Sequence, residues 1–175
     1  DWSSDVCSSD LYKLLEQQVY GLSRIGTYKI EEVLTASPSA PSNDAAKQRF
    51  EISDHLGSVR AVVSGVKLAN NVPDILSLAD YSDFGWAMQN RTYMGAESYR
   101  YAYQGSERDR DVLNSDNSYY TTEFRMLDAR LGRWFSPDPI THPWQSPYAS
   151  MDNNPIALVD PLGLSTGGGP STRSP

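Results

Sequence analysis

The sequence predicts an all-β fold of antiparallel hairpins and a meander, with helix confined to short turns such as 147–151. Apolar and aromatic positions recur with period 2 rather than 3.6 in several short segments, and turn residues separate those segments at fairly regular intervals. The composition agrees: 11 Tyr, 4 Trp and 11 Pro suit strands punctuated by turns rather than long helices. A chain of 175 residues is long enough for a core, since chains of this order bury roughly two thirds of their unfolded surface.

Charge and composition narrow the function classes. The formal net charge is −7, from 15 Lys+Arg against 22 Asp+Glu, and no stretch is basic enough to track a phosphate backbone, so no nucleic-acid partner is expected. There is no charged-then-apolar leader and no apolar run near the length that crosses a bilayer, so no membrane span is expected either. Residues 1–10, DWSSDVCSSD, follow neither period and resemble a translated sequencing adapter; they are set aside as a non-native leader, and the single cysteine, Cys7, goes with them. Only His55 and His142 remain, so a His/Cys metal site is not expected, and no small-molecule cofactor is expected either.

From Leu11 onward the segments follow in order. Residues 13–20 and 26–33 read as strands joined by turn material at 21–25, a hairpin. Residues 35–47, TASPSAPSNDAAK, read as an exposed loop. In QRFEISDHLGSVRAVVS, residues 48–64, Phe50 and Ile52 and then Val59, Ala61 and Val63 alternate with polar neighbours around the turn Asp54-His55-Leu56-Gly57, which predicts paired strands at 50–54 and 58–64. Residues 75–81 read as a further strand, and YRYAYQ, 99–104, as another with its tyrosines on one face. Residues 109–117 read as a solvated loop.

The aromatic residues admit two readings. Tyr99, Tyr101, Tyr103, Trp134 and Trp144 have the flat apolar faces that a sugar-stacking surface uses, but tyrosines at period 2 also pack across strands with no ligand, and that accounts for the spacing. Neither histidine has a Ser or Cys partner in a nucleophile motif, so both read as surface or hydrogen-bonded structural groups. Asp54 and His55 are adjacent and so point apart on a strand, which disfavours a triad.

Candidate chemistry concentrates in residues 119–164. Asp138 and Asp160 each precede proline, which restricts them to extended backbone while the proline withholds its N–H. Brought together, two such carboxylates cannot both ionise easily, and the pair can activate a water and protonate a leaving amine. Arg125 has the planar fork that holds a carboxylate by a charge-assisted bidentate contact. The plainer alternative makes Asp-Pro a turn opening, pairs Arg125 with Asp128 or Glu123 at the surface, and leaves Gly132 and Gly163 as structural turns.

FRMLDARLGRWFSPDPI and NNPIALVDPLGL resemble two blocks of the RHS (rearrangement hotspot) repeat-associated core domain, found in the YD-repeat proteins that include toxin-complex C components. DHLGSVR, 54–60, resembles their DHLGNVR segment. YSDFG, 81–85, partly resembles their YYPFG block, with Ser82 and Asp83 in place of Tyr and Pro. The likeness runs from about Leu14 to Leu164. It implies that Arg125, Asp138 and Asp160 cut the chain between Leu164 and Ser165, an aspartyl-protease-like reaction acting once. It implies a secreted or cell-surface setting, an upstream RHS/YD-repeat shell as partner, and a downstream effector or toxin of the same parent chain. The implied divisions are a YD-repeat-like β segment at 11–118, the core at 119–164 and a flexible tail at 165–175. A non-enzymatic β scaffold or cell-surface binding module stands as the alternative.

Overall fold

In the computed structural model the described residues are 13–21, 23–33, 44–95, 99–109, 119–140, 142–164 and 166–168. The leader 1–10, loop residues 35–43 and 110–117, Ser165 and the tail beyond 168 lie outside them. The all-β expectation holds. Six strands form one sheet in chain order: β1 (Lys13–Tyr20), β2 (Arg24–Val33), β3 (Gln48–Ser53), β4 (Val59–Lys67), β5 (Pro73–Tyr81) and β6 (Ala87–Met94). Four short ones form a second, in the order β10 (Arg133–Trp134), β9 (Met126–Asp128), β8 (Tyr119–Thr121), β7 (Glu107–Asp109). A third pairs β11 (Leu158–Val159) with β12 (Gly167–Gly168). Helix among the described residues is limited to four single 3-10 turns.

The chain divides into two compact units, residues 1–50 with 64–74 and residues 51–63 with 75–175. In the first, β1 and β2 pair antiparallel as expected, and Thr27 is buried. Strand β2 starts at Arg24, inside the stretch read as turn. Asp44 caps the 3-10 turn Ala45–Lys47 by accepting from Ala46 N at 3.0 Å. Ser64 Oγ donates to Asp74 Oδ2 at 2.9 Å.

The second unit carries two apolar clusters. In its hairpin turn Asp54 Oδ1 accepts from Leu56 N (3.0 Å) and Ser58 N (2.9 Å), which fixes the bend the sequence announced. The apolar alternation of the sequence does not carry over to burial. Phe50 and Ile52 are exposed, and the buried positions of β4 are Val59 and Val62, three apart. The cause is local: Val59 N donates to Ala102 O at 2.9 Å, outside the ladder, and Val59 and Val62 pack against Tyr99 and Tyr101.

Residues 99–104 are also not the strand expected of them. Tyr101 makes one isolated bridge to Glu107, and Tyr103–Gly105 closes a 3-10 turn with Gln104 at φ +51. Ala102 N donates to Ser106 O and Gly105 N to Ala102 O, so groups a ladder would need are used within the turn. The three tyrosines therefore do not share one strand face. Tyr99 and Tyr101 enter one cluster, while Tyr103 joins Ala102, Tyr120, Leu127, Ala129, Trp134 and Met151 in the other. All three are buried, as is Trp134, so none forms a sugar-stacking surface.

Buried tyrosine hydroxyls hold turn backbone: Tyr120 Oη donates to Gly85 O (2.6 Å), Tyr103 Oη to Asp83 O (2.8 Å) and Tyr81 Oη to Val59 O (2.9 Å). Burial pushes the pKa of all three up from its ordinary value. An unfolded tyrosine ionises near pH 10, whereas these keep their protons when folded. Their contribution to stability is thus intact below about pH 10 and is lost as pH rises through and beyond that value. The thermal midpoint should stay level from about pH 7 to about pH 9 and fall above about pH 10, with part of the tyrosinate absorbance appearing only as the chain unfolds. Full ionisation of the 11 tyrosines ahead of unfolding would contradict this.

Candidate functional site

The site lies within the second unit, in the turns that follow β8, β10 and β11. Thr122 shapes the first: its N and Oγ1 both donate to Arg125 O (3.0 and 2.6 Å), and Arg125 N donates back to Thr122 Oγ1 at 3.3 Å. This tight turn sends the Arg125 side chain inward, where it is 1% exposed. Its guanidinium lies over Trp134, 4.6 Å from Cζ to the ring centroid, so the cation is desolvated against an aromatic face.

The fork of that guanidinium gathers both predicted aspartates. Nη1 meets Asp138 Oδ2 at 2.9 Å, an ion pair whose angle departs from hydrogen-bond alignment, and Nη2 meets Asp160 Oδ2 at 3.3 Å. Nε donates to the carbonyl of Gly163. Asp138 is held by its own N on Pro147 O (2.7 Å) and by Ile140 N on its Oδ1 (2.8 Å). Asp160 is positioned from afar: its N donates to Gln104 Oε1 at 3.2 Å, and Gln104 Nε2 donates to Leu158 O at 3.2 Å. Its side chain is 1% exposed against 18% for Asp138, so the two carboxylates sit in unequal surroundings.

The loop after Asp160 curls round that carboxylate. Leu164 N donates to Asp160 Oδ1 at 3.0 Å, Gly163 N to Asp160 O at 3.3 Å, and Phe124 N to Leu162 O at 3.0 Å. Gly163 has φ +70, and a Cβ there would stand 2.2 Å from Thr122 Oγ1, so no larger residue fits the curl. Gly132, at φ +62, is likewise required: a Cβ would stand 2.7 Å from the Phe84 ring.

Arg125, Asp138, Asp160, Gly163 and Leu164 are thus one constellation, spanning both motif blocks. Arg125 does not pair with Asp128, which instead takes Arg130 Nη2 at 3.1 Å. The histidines lie apart: exposed His55 has Nε2 3.2 Å from Ile156 O, and exposed His142 stacks on Trp144 with centroids 5.0 Å apart. No group of three or more His, Cys, Asp or Glu suited to a metal occurs among the described residues. No helix among them is long and apolar enough to cross a membrane.

Sequence reasoning missed three supports of the site. Gln104 lies 56 residues before Asp160, and no local pattern ties them. Thr122 carries no signal of its role in the sequence, and Trp134 enters the sequence reading only among the aromatics of a possible sugar-stacking surface and within a motif block. Chemically the arrangement offers two carboxylates on one cation beside the backbone of residues 163–164, which are groups that position or cut a peptide bond.

No family model matches the chain, and no curated protein matches it in sequence. Its fold is similar to solved toxin-complex structures. The likeness to a TcdB2-TccC3-Cdc42 crystal structure has TM-score 0.55 and 21% identity, covering 79% of this chain and 6% of that one. To TcdB2-TccC3 without the hypervariable C-terminal region it has TM-score 0.54 and 21% identity, covering 81% and 7%. To the Photorhabdus luminescens Tc holotoxin pore it has TM-score 0.50 and 20% identity, covering 81% and 7%. The similarity is one of fold, and the chain spans a small fraction of those larger chains.

Proposed function

We propose that this chain is an RHS-type core segment that cuts its own backbone after Leu164. The observation that carries the reading is the single guanidinium of Arg125 holding Asp138, Asp160 and the carbonyl of Gly163, one residue before the bond in question. In the reaction one carboxylate takes a proton from water as the water oxygen bonds to the Leu164 carbonyl carbon. The carbon–nitrogen bond to Ser165 then breaks, and the other carboxyl gives its proton to the leaving amine. Arg125 fixes both carboxylates and the adjoining backbone. Reaction within one chain replaces a high substrate concentration, on the order of 10⁵ M for well-oriented groups, so no substrate pocket is needed. The cut happens once per molecule.

In this reading residues 11–118 belong to a YD-repeat shell, residues 119–164 form the core, and the parent chain is secreted or displayed at the cell surface and releases a downstream effector. The fold likeness to toxin-complex structures supports that setting. A non-enzymatic scaffold is the second reading, favoured by one observation: both Asp160 oxygens are engaged by the protein itself, as in a structural staple.

The test is mass spectrometry of the protein expressed from its complete reading frame with a tag after Pro175. Loss of everything from Ser165 onward is expected in the parent, with retention in Asp138→Asn and in Asp160→Asn. Cutting that persists in both variants removes the dyad. A cut at Asp160–Pro161 indicates acid lability of that bond, and an uncut parent favours the scaffold.

A further inference from the structure

Three consecutive residues with side chains, Met151, Asp152 and Asn153, have φ of +47, +50 and +57. Left-handed backbone is costly for any residue with a Cβ, and a run of it persists only where the surroundings impose it. Here they do. Met151 is buried in the larger apolar cluster, Arg133 Nη1 donates to Asn153 Oδ1 at 2.7 Å, and Asn153 N donates to Ser150 O at 2.9 Å.

The run aims the Asp152 carboxylate at the chain beyond Leu164. Thr166 Oγ1 donates to Asp152 Oδ2 at 2.7 Å, and Gln145 Nε2 donates to Oδ1 at 2.8 Å. The next residues, Gly167 and Gly168, pair antiparallel with Val159 and Leu158. Strand β11 therefore works on both sides of the candidate bond: Val159 pairs with Gly167, and the residue after it, Asp160, takes Leu164 N.

We propose that Asp152 and the edge of β11 form a docking site for the segment that follows the cut, taking an extended strand with a hydroxyl-bearing residue at the second position. The proposal rests on the self-cutting reading and gives it a recognition element on the leaving side. Asp152 is a positioning residue: it holds Thr166 so that the bond between Leu164 and Ser165 is anchored from both ends. The hydrogen bonds from Thr166 and Gln145 hold its carboxyl below the ordinary carboxylate range, in keeping with a charged acceptor.

The test uses the protein from its complete reading frame with a tag after Pro175, following the appearance of the cut by mass spectrometry. Thr166→Val keeps the side-chain shape without the hydroxyl, Thr166→Ser keeps the hydroxyl, and Asp152→Gly tolerates the left-handed backbone without the carboxylate. Thr166→Ser should cut at the parent rate, whereas Thr166→Val and Asp152→Gly should be slower by roughly tenfold or more, the worth of one charge-assisted hydrogen bond. Parent-like rates in both would overturn the proposal. A parent that does not cut refutes the self-cutting reading instead, and docking is then judged by amide exchange at Gly167 and Gly168. Exchange at least tenfold faster in Thr166→Val than in the parent supports docking, and equal exchange overturns it.

Discussion

Arg125→Met should cost about 3–5 kcal/mol of folding stability, a large part of the roughly 5–15 kcal/mol that typical domains possess. The substitution keeps an unbranched apolar stem against Trp134 but removes the cation held against Asp160. An Asp160 side chain 1% exposed would then carry its charge without that partner, and the Gly163 carbonyl would lose the Nε donor. Burying a lone ion is far more costly than exchanging a complete pair for apolar groups. Adding Asp160→Leu to Arg125→Met should thus restore part of the loss. Restoration should be incomplete, because Asp160 also receives Leu164 N. Urea unfolding of the parent, single and double variants gives the three numbers. A single-variant loss below about 1 kcal/mol would mean that water reaches the site and screens it.

Trp134→Ala should be comparably severe, at about 3–5 kcal/mol, through the cavity left in the larger cluster. The indole packs with Ala102, Tyr103, Tyr120, Leu127, Ala129 and Met151 on the core side and faces the Arg125 guanidinium on the other. Its Nε1 has no hydrogen-bond partner among the described residues, so an aromatic ring without a donor keeps most of its value. Trp134→Phe is accordingly expected to cost about 1–2 kcal/mol, mainly as lost volume. Thermal and chemical denaturation of the two variants checks the order. Equal losses would assign the effect to the indole N–H rather than to packing.

Strands β1 to β5 were legible chiefly through their turn chemistry, as at Asp54–Gly57, where an aspartate and a glycine each satisfied a specific need of the bend, whereas β6 carried no pattern that announced it. The departure at residues 99–104 has a plain cause. Tyr99, Tyr101 and Tyr103 repeat with period 2, yet their backbone bends so that the first two serve one cluster and the third another. Period alone cannot distinguish a strand facing one core from a turn feeding two. In the site, Asp138 and Asp160 stood out by the proline that follows each, and Arg125 by the motif block that carries it. Gln104 and Asp152 were invisible for a different reason: each acts through a contact made only once the chain has closed on itself, and Asp152 sits in a left-handed run that its sequence does not signal.

The first sheet has its strands in the order in which they are made. Hairpins form in about 1–10 μs, whereas synthesis adds about 5–20 residues each second, so every neighbour pair has time to close before the next strand exists. The site keeps a different schedule. Arg125 precedes Asp160 by 35 residues, an interval of about two to seven seconds at those rates of synthesis. For that interval the guanidinium has no Asp160 to hold and the loop that carries Leu164 has not been made. Under the proposed reading the delay acts as a clock, and the newborn chain has no means of severing itself before the sheet upstream has had time to pair.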